Sequence, residues 1–476
     1  MAAAPGAGRL FESRGERLVA ASLALYLIAF IVYMVVAQRG LVADAPWYVV
    51  RIVLKQGFNF EEPGRRAAEL LYQWPVVLAA RLGVTDLPTL GRLYAVGCTW
   101  LVFATVIVSW ALLPAARKPL LFFPVLTILV AWLASCYASM VETHALVLWF
   151  WPVLFALLFR RLERWRDLLV VVGLSLPMAV LYPTVVLLAP VLAGVALWRW
   201  RRRARERFGA AWIALSIWFV LVTALAAFLI IAPRDSGNRD GFLAQIRSLA
   251  FLYVRGAGVN WPLALALAAL PLLLFCASRP EAAKRWVLLW LPPYLLFAAF
   301  TALAPVVAVS SFAPNLQHAA RAWEAPAVAL LLLPLFAHLS GRLRLDGTGR
   351  RLVLLVAAIL AVGQITWQIA ATAQWAGRLS LFRDVVASGS GLMPVDETPL
   401  AQRRIGLQAV KPLEWRWTNP LLSIMLAPGG QVAAIVAAPP GWQPFDPSQP
   451  AALPPVPGID YSRYRQALAA GKAATP

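Results

Sequence analysis

A chain of 476 residues that is 61% hydrophobic and only 14% charged lies outside the soluble globular range, where about 25% of residues are charged. The formal net charge of +21 raises nucleic acid as a partner. Yet most Lys and Arg stand in short clusters between apolar runs, as the positive-inside rule requires, and no aromatic-basic groove module is visible, so nucleic acid is excluded. Cys98, Cys136 and Cys276 each lie inside an apolar run, which gives no CxxC pair or disulfide framework and leaves the redox compartment open.

Taken in chain order, the first apolar run, Leu18–Ala37, follows Arg9, Arg14 and Arg17. It is longer than a signal-peptide core and lacks a small-residue cleavage site, so it reads as a retained span. Ten more runs follow at bilayer-crossing length: Gly91–Leu113, Leu120–Met140, Ala145–Phe159, Leu168–Leu181, Thr184–Trp198, Ala211–Ala232, Pro262–Ser278, Trp286–Val309, Ala325–Leu339 and Leu352–Gln374. The expected fold is a polytopic α-helical membrane protein of about eleven spans.

The stretch from Asp167 to Arg199 decides the parity. One helix of that length would overrun the bilayer and put Arg on both sides. Two short helices meeting at Leu181-Tyr182-Pro183-Thr184 avoid both problems, since Pro interrupts a helix, although one long kinked span is the alternative. Arg117, Lys118, Arg160, Arg161, Arg164 and Arg166 then share a side with the run Arg199 to Arg207, while the links at Glu142 and Tyr182 carry no Lys or Arg. This places the N-terminus in the cytoplasm and the C-terminus outside, in a plasma (bacterial inner) membrane.

Three segments are expected on the exported side: residues 40–90, 233–261 and 376–476. In the first, Ala67 to Gly83 reads as an amphipathic helix lying at the interface. The chain thus divides into a transmembrane domain, residues 1–375, and a small mixed α/β or β-containing exported domain, residues 376–476. In that domain Leu421–Ala427 and Gln431–Ala437 flank Pro428-Gly429-Gly430, which suggests a β-hairpin, with a twelfth span as the other reading.

Acidic residues near a bilayer are costly and tend to have a function or a partner. Here they are few, and all fall on the exported face of this topology: Asp44 just past the first span, Glu61 and Glu62 in the same loop, and Glu142 with His144 between spans three and four. His318 and Arg321 join them before span ten. There is no P-loop, dinucleotide-binding glycine pattern or HExxH motif, and three histidines exclude a His-rich metal site. Nothing in the sequence requires a cofactor; a divalent cation held by carboxylates with one histidine is compatible with it.

The order of these elements resembles the polytopic GT-C glycosyltransferases, in the branch that contains protein O-mannosyltransferases and lipid A aminoarabinose transferases. The resemblance rests on Asp44 with Tyr48 after the first span, and on an interfacial helix ending in Leu82-Gly83-Val84-Thr85 before Gly91-Arg92-Leu93. Glu142 at the head of span four and the paired short helices turning at Tyr182-Pro183-Thr184 complete it. It covers roughly Leu18 to Trp200; beyond that only the general plan corresponds. Ala45 stands where the family often has a second acid, and Tyr182 where many members have a phosphate-binding Lys.

The resemblance implies an inverting transfer of a sugar from a polyprenyl-phosphate donor to a glycan, lipid or protein acceptor at the exported face. Asp44 is then the general base and Glu142 orients the acceptor or a cation. Arg92, His318, Arg321 and Tyr182 are the candidates at the donor phosphate; Glu61, Glu62 and His144 are candidates for orienting the acceptor or a cation. Two readings from other classes stay open: a lipid or glycan transporter, and a non-catalytic subunit of an envelope assembly.

Overall fold

A computed structural model describes residues 13–61, 63–133, 142–231, 324–333, 336–337, 347–402, 416–439, 441 and 443–470. The expected spans Pro262–Ser278 and Trp286–Val309 lie outside these residues, as do Glu62, His318 and Arg321. The described chain is dominated by helices, five of them long and apolar enough to cross a membrane. These are α1 (Arg14–Val36), α4 (Leu87–Leu112), the stretch Ala115–Trp132 that contains α5 (Phe122–Thr127), α6 (Glu142–Phe159) and α9 (Ala210–Ile231).

Their burial is that of helices with lipid as the outer solvent. Only 17% of the apolar stretch of α1 is buried and 28% of that of α9, against 83% for α6, which is the centre of the bundle. Leu25, Ile28 and Val32 on α1 and Val220, Leu221 and Phe228 on α9 are exposed, an arrangement a water-soluble helix would avoid. The described helices are consistent with an α-helical membrane protein. Phe123, Trp151, Phe155 and Phe336 form the aromatic centre, with Phe123 and Trp151 stacked at 5.5 Å and Phe336 against all three other rings.

Between α1 and α4 the chain forms two further helices, α2 (Ala45–Lys55) and α3 (Arg66–Arg81). The second is the helix expected from residue 67. Its faces are distributed inside out: Leu70, Trp74, Leu78 and Leu82, spaced at four, are exposed, while Glu69, Tyr72 and Gln73 are buried. An apolar exposed stripe with a Trp suits the edge of a bilayer, and it leaves the polar side chains facing the bundle. The close approach of α3 and α4 depends on Gly97, where a Cβ would fall 1.9 Å from the Tyr72 carbonyl oxygen. The Trp100 indole N–H donates to the Leu71 carbonyl at 2.8 Å across the same seam.

Two short helices, α7 (Trp165–Ser175) and α8 (Ala189–Arg203), meet through 3-10 turns at Leu176–Val180 and Pro183–Leu187. The break is at Tyr182, whose backbone is extended (φ −169°, ψ 145°) ahead of Pro183. The basic residues gather at one end of the bundle: Arg160 donates to the Ala111 carbonyl at 3.3 Å, Arg199 to the Arg160 carbonyl, and Lys118 to the Trp110 carbonyl. The opposite end of α4 and α6 carries Asp86 and Glu142.

The last long helix, α10 (Gly347–Ser388), runs unbroken for 42 residues through position 375. At 1.5 Å per residue it is about 63 Å long, twice the thickness of the hydrocarbon core. Arg39, buried at the end of α1, ties it in by donating to the Gln368 carbonyl (2.8 Å) and the Thr372 hydroxyl (2.6 Å). Beyond α10 the strands β1 (Gly391–Met393) and β2 (Ala434–Val436) pair in parallel, Leu392 opposite Ile435.

The expected β-hairpin is not there. Its first arm is the helix α11 (Asn419–Leu426), and its second pairs with β1 instead. Asn419-Pro420 starts a helix well, and Leu421, Leu422, Ile424, Met425 and Leu426 are all buried, so no alternation of faces exists to favour a strand. A final helix, α12 (Ser462–Ala469), closes the chain on this small α/β unit.

Candidate functional site

The end of the bundle away from the arginines collects most of the polar residues that the sequence singles out. After α1 the chain enters α2 through Ala43, which takes a left-handed conformation (φ +61°), and Asp44, the N-cap residue. Asp44 does not cap the helix with its side chain. Its carboxylate accepts the Trp417 indole N–H at 3.2 Å, and the Thr418 hydroxyl donates to the Ala43 carbonyl at 3.1 Å. The segment leading into α11 is thus docked on the first loop, with Trp417 and Trp47 in ring contact at 6.0 Å. The Trp47 indole donates to Glu61 at 2.7 Å, and the Arg51 guanidinium lies 4.1 Å from the Trp47 ring.

One turn into α2, Tyr48 points into the bundle, stacked on Tyr94, and its hydroxyl donates to Glu69 Oε1 at 3.3 Å. The same oxygen accepts the Glu61 backbone N–H at 3.2 Å, while Glu69 Oε2 is buried and has no hydrogen-bond partner among the described residues. Burial, followed by the negative charge of Glu142, pushes the Glu69 carboxyl up to about 7 against the pull of the Glu61 N–H. The Tyr48 phenol is pushed well above its ordinary value, first by burial and then by Glu142, Glu69 and Asp44, with Arg65 opposing. Three carboxylates and one guanidinium therefore converge electrostatically on this phenol.

Arg65 ends a 3-10 turn, Pro63–Arg65, and its Nη1 donates to Glu142 Oε1 at 3.2 Å. Glu142 is buried and opens α6, where a carboxylate complements the positive end of the helix dipole. The Arg65 guanidinium also lies 5.6 Å from the Tyr182 ring, in the range of a cation–π contact. A Cβ at Gly64 would sit 3.7 Å from Pro183, so the turn carrying Arg65 rests on the break between α7 and α8. Nearby, His144 Nε2 stands 2.7 Å from Glu324 Oε1, both side chains buried.

Among the candidates read from the sequence, Asp44, Glu61, Glu142, Tyr182 and His144 all lie at this end. Arg92 is exposed; burial first, and the charge of Arg92 second, lower the pKa of the Arg383 guanidinium, which donates to Gln38 at 2.6 Å. Among the described residues no group of three or more His, Cys, Asp or Glu is arranged to hold a metal ion.

Sequence reasoning missed Arg65, Glu69, Glu324 and Trp417. For Arg65 a signal existed: Arg65-Arg66 is an adjacent arginine pair in the loop expected on the exported side, where the positive-inside rule makes arginine uncommon. Glu69 was visible as a lone acid in an amphipathic helix; Trp417 had no local signal. No family model matches the chain, and no curated protein or solved structure matches it either.

Proposed function

We propose that this protein is a membrane glycosyltransferase of the GT-C kind, moving a sugar from a polyprenyl-phosphate donor to a glycan, lipid or protein acceptor. The proposal keeps about eleven spans, a cytoplasmic N-terminus and an exported Asp44 end, in the plasma membrane of a bacterium. What supports it is the contact of Arg65 with both Glu142, at 3.2 Å, and the Tyr182 ring, at 5.6 Å, at the end of the bundle where Asp44 and Tyr48 also lie.

In such a reaction the acceptor hydroxyl oxygen attacks the anomeric carbon, the carbon–oxygen bond to the phosphate breaks, and the polyprenyl phosphate leaves with the electron pair. Asp44 takes the acceptor's proton, the role of a carboxylate within hydrogen-bond reach of the attacking group. Arg65, held by Glu142 against Tyr182, supplies the cation that stabilises the leaving phosphate in a site of low dielectric. It takes the place of the lysine that many members of that family have at the position of Tyr182. The isoprenoid tail stays in hydrocarbon beside the apolar stripe of α3.

A second reading, a non-catalytic assembly subunit, draws on the hydrogen bond from Trp417 to Asp44, which makes the carboxylate a docking point for the C-terminal segment. Deleting the gene and profiling polyprenyl-linked sugars and envelope glycans by mass spectrometry separates the two. A transferase leaves one glycan short of one sugar while its lipid-linked donor accumulates. Glycans of unchanged composition, reduced only in amount, would overturn the transferase.

A further inference from the structure

At the other end of the bundle, six arginines occur between positions 199 and 207 with a single acid, Glu206. The structure sorts five of them into two groups; the sixth, Arg201, is exposed and does not line the concavity that Arg202, Arg203, Arg205 and Arg207 share. Arg199 is buried and spent on the Arg160 carbonyl and the Trp212 ring, and Arg203 is 2.8 Å from Glu206. Glu206 is fully engaged, since it also accepts the Leu162 N–H at 2.9 Å and the Trp212 indole at 3.2 Å. This network fixes the C-terminal turn of α8 against the start of α7.

Arg202, Arg205 and Arg207 are different. All three are exposed, and among the described residues none of them forms an ion pair. Arg202 lies over the Trp198 ring at 5.1 Å and Arg207 over Phe208 at 5.3 Å, contacts that leave the guanidinium donors facing outward. With Arg203, Glu163 and Glu206 they line a concavity of about 630 Å³. Four guanidinium groups there face two carboxylates, of which Glu206 is engaged and Glu163 stands 3.9 Å from Arg161. The concavity is cationic and open to its surroundings.

Aromatic and apolar side chains adjoin the arginines. Trp198, under Arg202, and Trp165, packed on Phe208 at 4.6 Å, are exposed, and Leu169 extends the exposed apolar face of α7. Indoles at this level mark the boundary between headgroups and acyl chains. A soluble anion has no use for such neighbours, whereas a phospholipid uses both parts, its phosphodiester in the arginines and its chains along α7.

We propose that this cavity binds the headgroup of an anionic phospholipid from the leaflet at the arginine-rich end. The site is separate from the Asp44 end and independent of the chemistry there. The full-length protein in neutral detergent, titrated with dioleoyl phosphatidylglycerol and followed by native mass spectrometry, gives the number and affinity of bound lipids. Dioleoyl phosphatidylcholine, glycerophosphoglycerol, inorganic phosphate and a short single-stranded oligonucleotide are the competitors.

Wild type retains one phosphatidylglycerol that phosphatidylcholine does not displace. Replacing Arg202, Arg205 and Arg207 together by alanine weakens that binding about a hundredfold, since each cation near an anionic surface contributes and the three act together. The Arg203–Glu206 network is left intact in that variant, so an unchanged melting temperature verifies its fold. Removing Arg117, Arg164 and Arg166, the same charge from the same end but outside the cavity, leaves the retained lipid in place. The proposal is overturned if the two triple variants lose the lipid equally, if phosphatidylcholine competes as well as phosphatidylglycerol, or if glycerophosphoglycerol, phosphate or the oligonucleotide displaces the lipid at comparable concentration.

Discussion

Arg65 and Glu142, 77 positions apart, meet at 3.2 Å where a turn of the first loop rests on the head of the central helix. The carboxylate is 1% exposed and the guanidinium 26%, so the pair is solvated from one side only. Arg65→Ala removes the charge that compensates a buried carboxylate, which costs about 3–5 kcal/mol for a fully buried pair and falls toward the lower end here. Arg65→Ala combined with Glu142→Gln is expected to be more stable than Arg65→Ala alone. Thermal unfolding in detergent of the two single variants and the double variant measures this coupling.

Glu69 makes the protein's stability depend on pH. Its carboxyl is raised from 4.5 to about 7 in the folded protein, so the folded state holds a proton that the unfolded state has lost between those values. That contribution is fully present below about pH 4.5 and is lost as pH rises toward 7. Glu69→Gln keeps an acceptor for Tyr48 and the Glu61 N–H but cannot ionise. It is expected to flatten the pH profile and to be more stable than wild type above pH 7, by up to about 3 kcal/mol. Melting temperatures at pH 5 and pH 8 for both proteins check it.

Gly97 is where α3 and α4 come closest. A Cβ placed 1.9 Å from the Tyr72 carbonyl oxygen forces the helices apart, and overpacking of this kind costs about 1–3 kcal/mol. Gly97→Ala is expected to lower the melting temperature and to speed hydrogen exchange along α3. Gly173→Ala, where a Cβ meets nothing within 4 Å, is the matched control and is expected to leave both unchanged.

The elements with strong local signals were legible in the sequence. Proline set the break at Tyr182-Pro183, and the amphipathic pattern from Ala67 to Gly83 gave the helix on the first loop. The charge clusters gave the arginine-rich end, where Arg160 and Arg199 meet. The run Leu421–Ala427 was not legible, because an apolar stretch of that length carries no period that separates helix from strand. The arginine pair at 65 and 66 was visible, but the meeting of Arg65 with Glu142 and Tyr182, 77 and 117 positions away, was not, because no local pattern encodes such a meeting. Trp417 escaped for the same reason, being 373 positions from Asp44.

The hydrogen bond from Trp417 to Asp44 separates docking from chemistry. Trp417→Phe removes the N–H donor and keeps the ring beside Trp47, so it is expected to cost about 1 kcal/mol of docking and to leave the carboxylate itself in place. Faster hydrogen exchange in α11, without a change in the bundle helices, is the expected signature.

The most direct test restores a deletion strain with wild type, Asp44→Asn or Trp417→Phe at matched membrane levels, and weighs the missing glycan sugar by mass spectrometry. If the Asp44 carboxylate takes the acceptor's proton, Trp417→Phe restores the sugar and Asp44→Asn does not, although asparagine still accepts the indole N–H. If Asp44→Asn restores the sugar as fully as wild type, the carboxylate is a docking point and the transferase account fails at its centre.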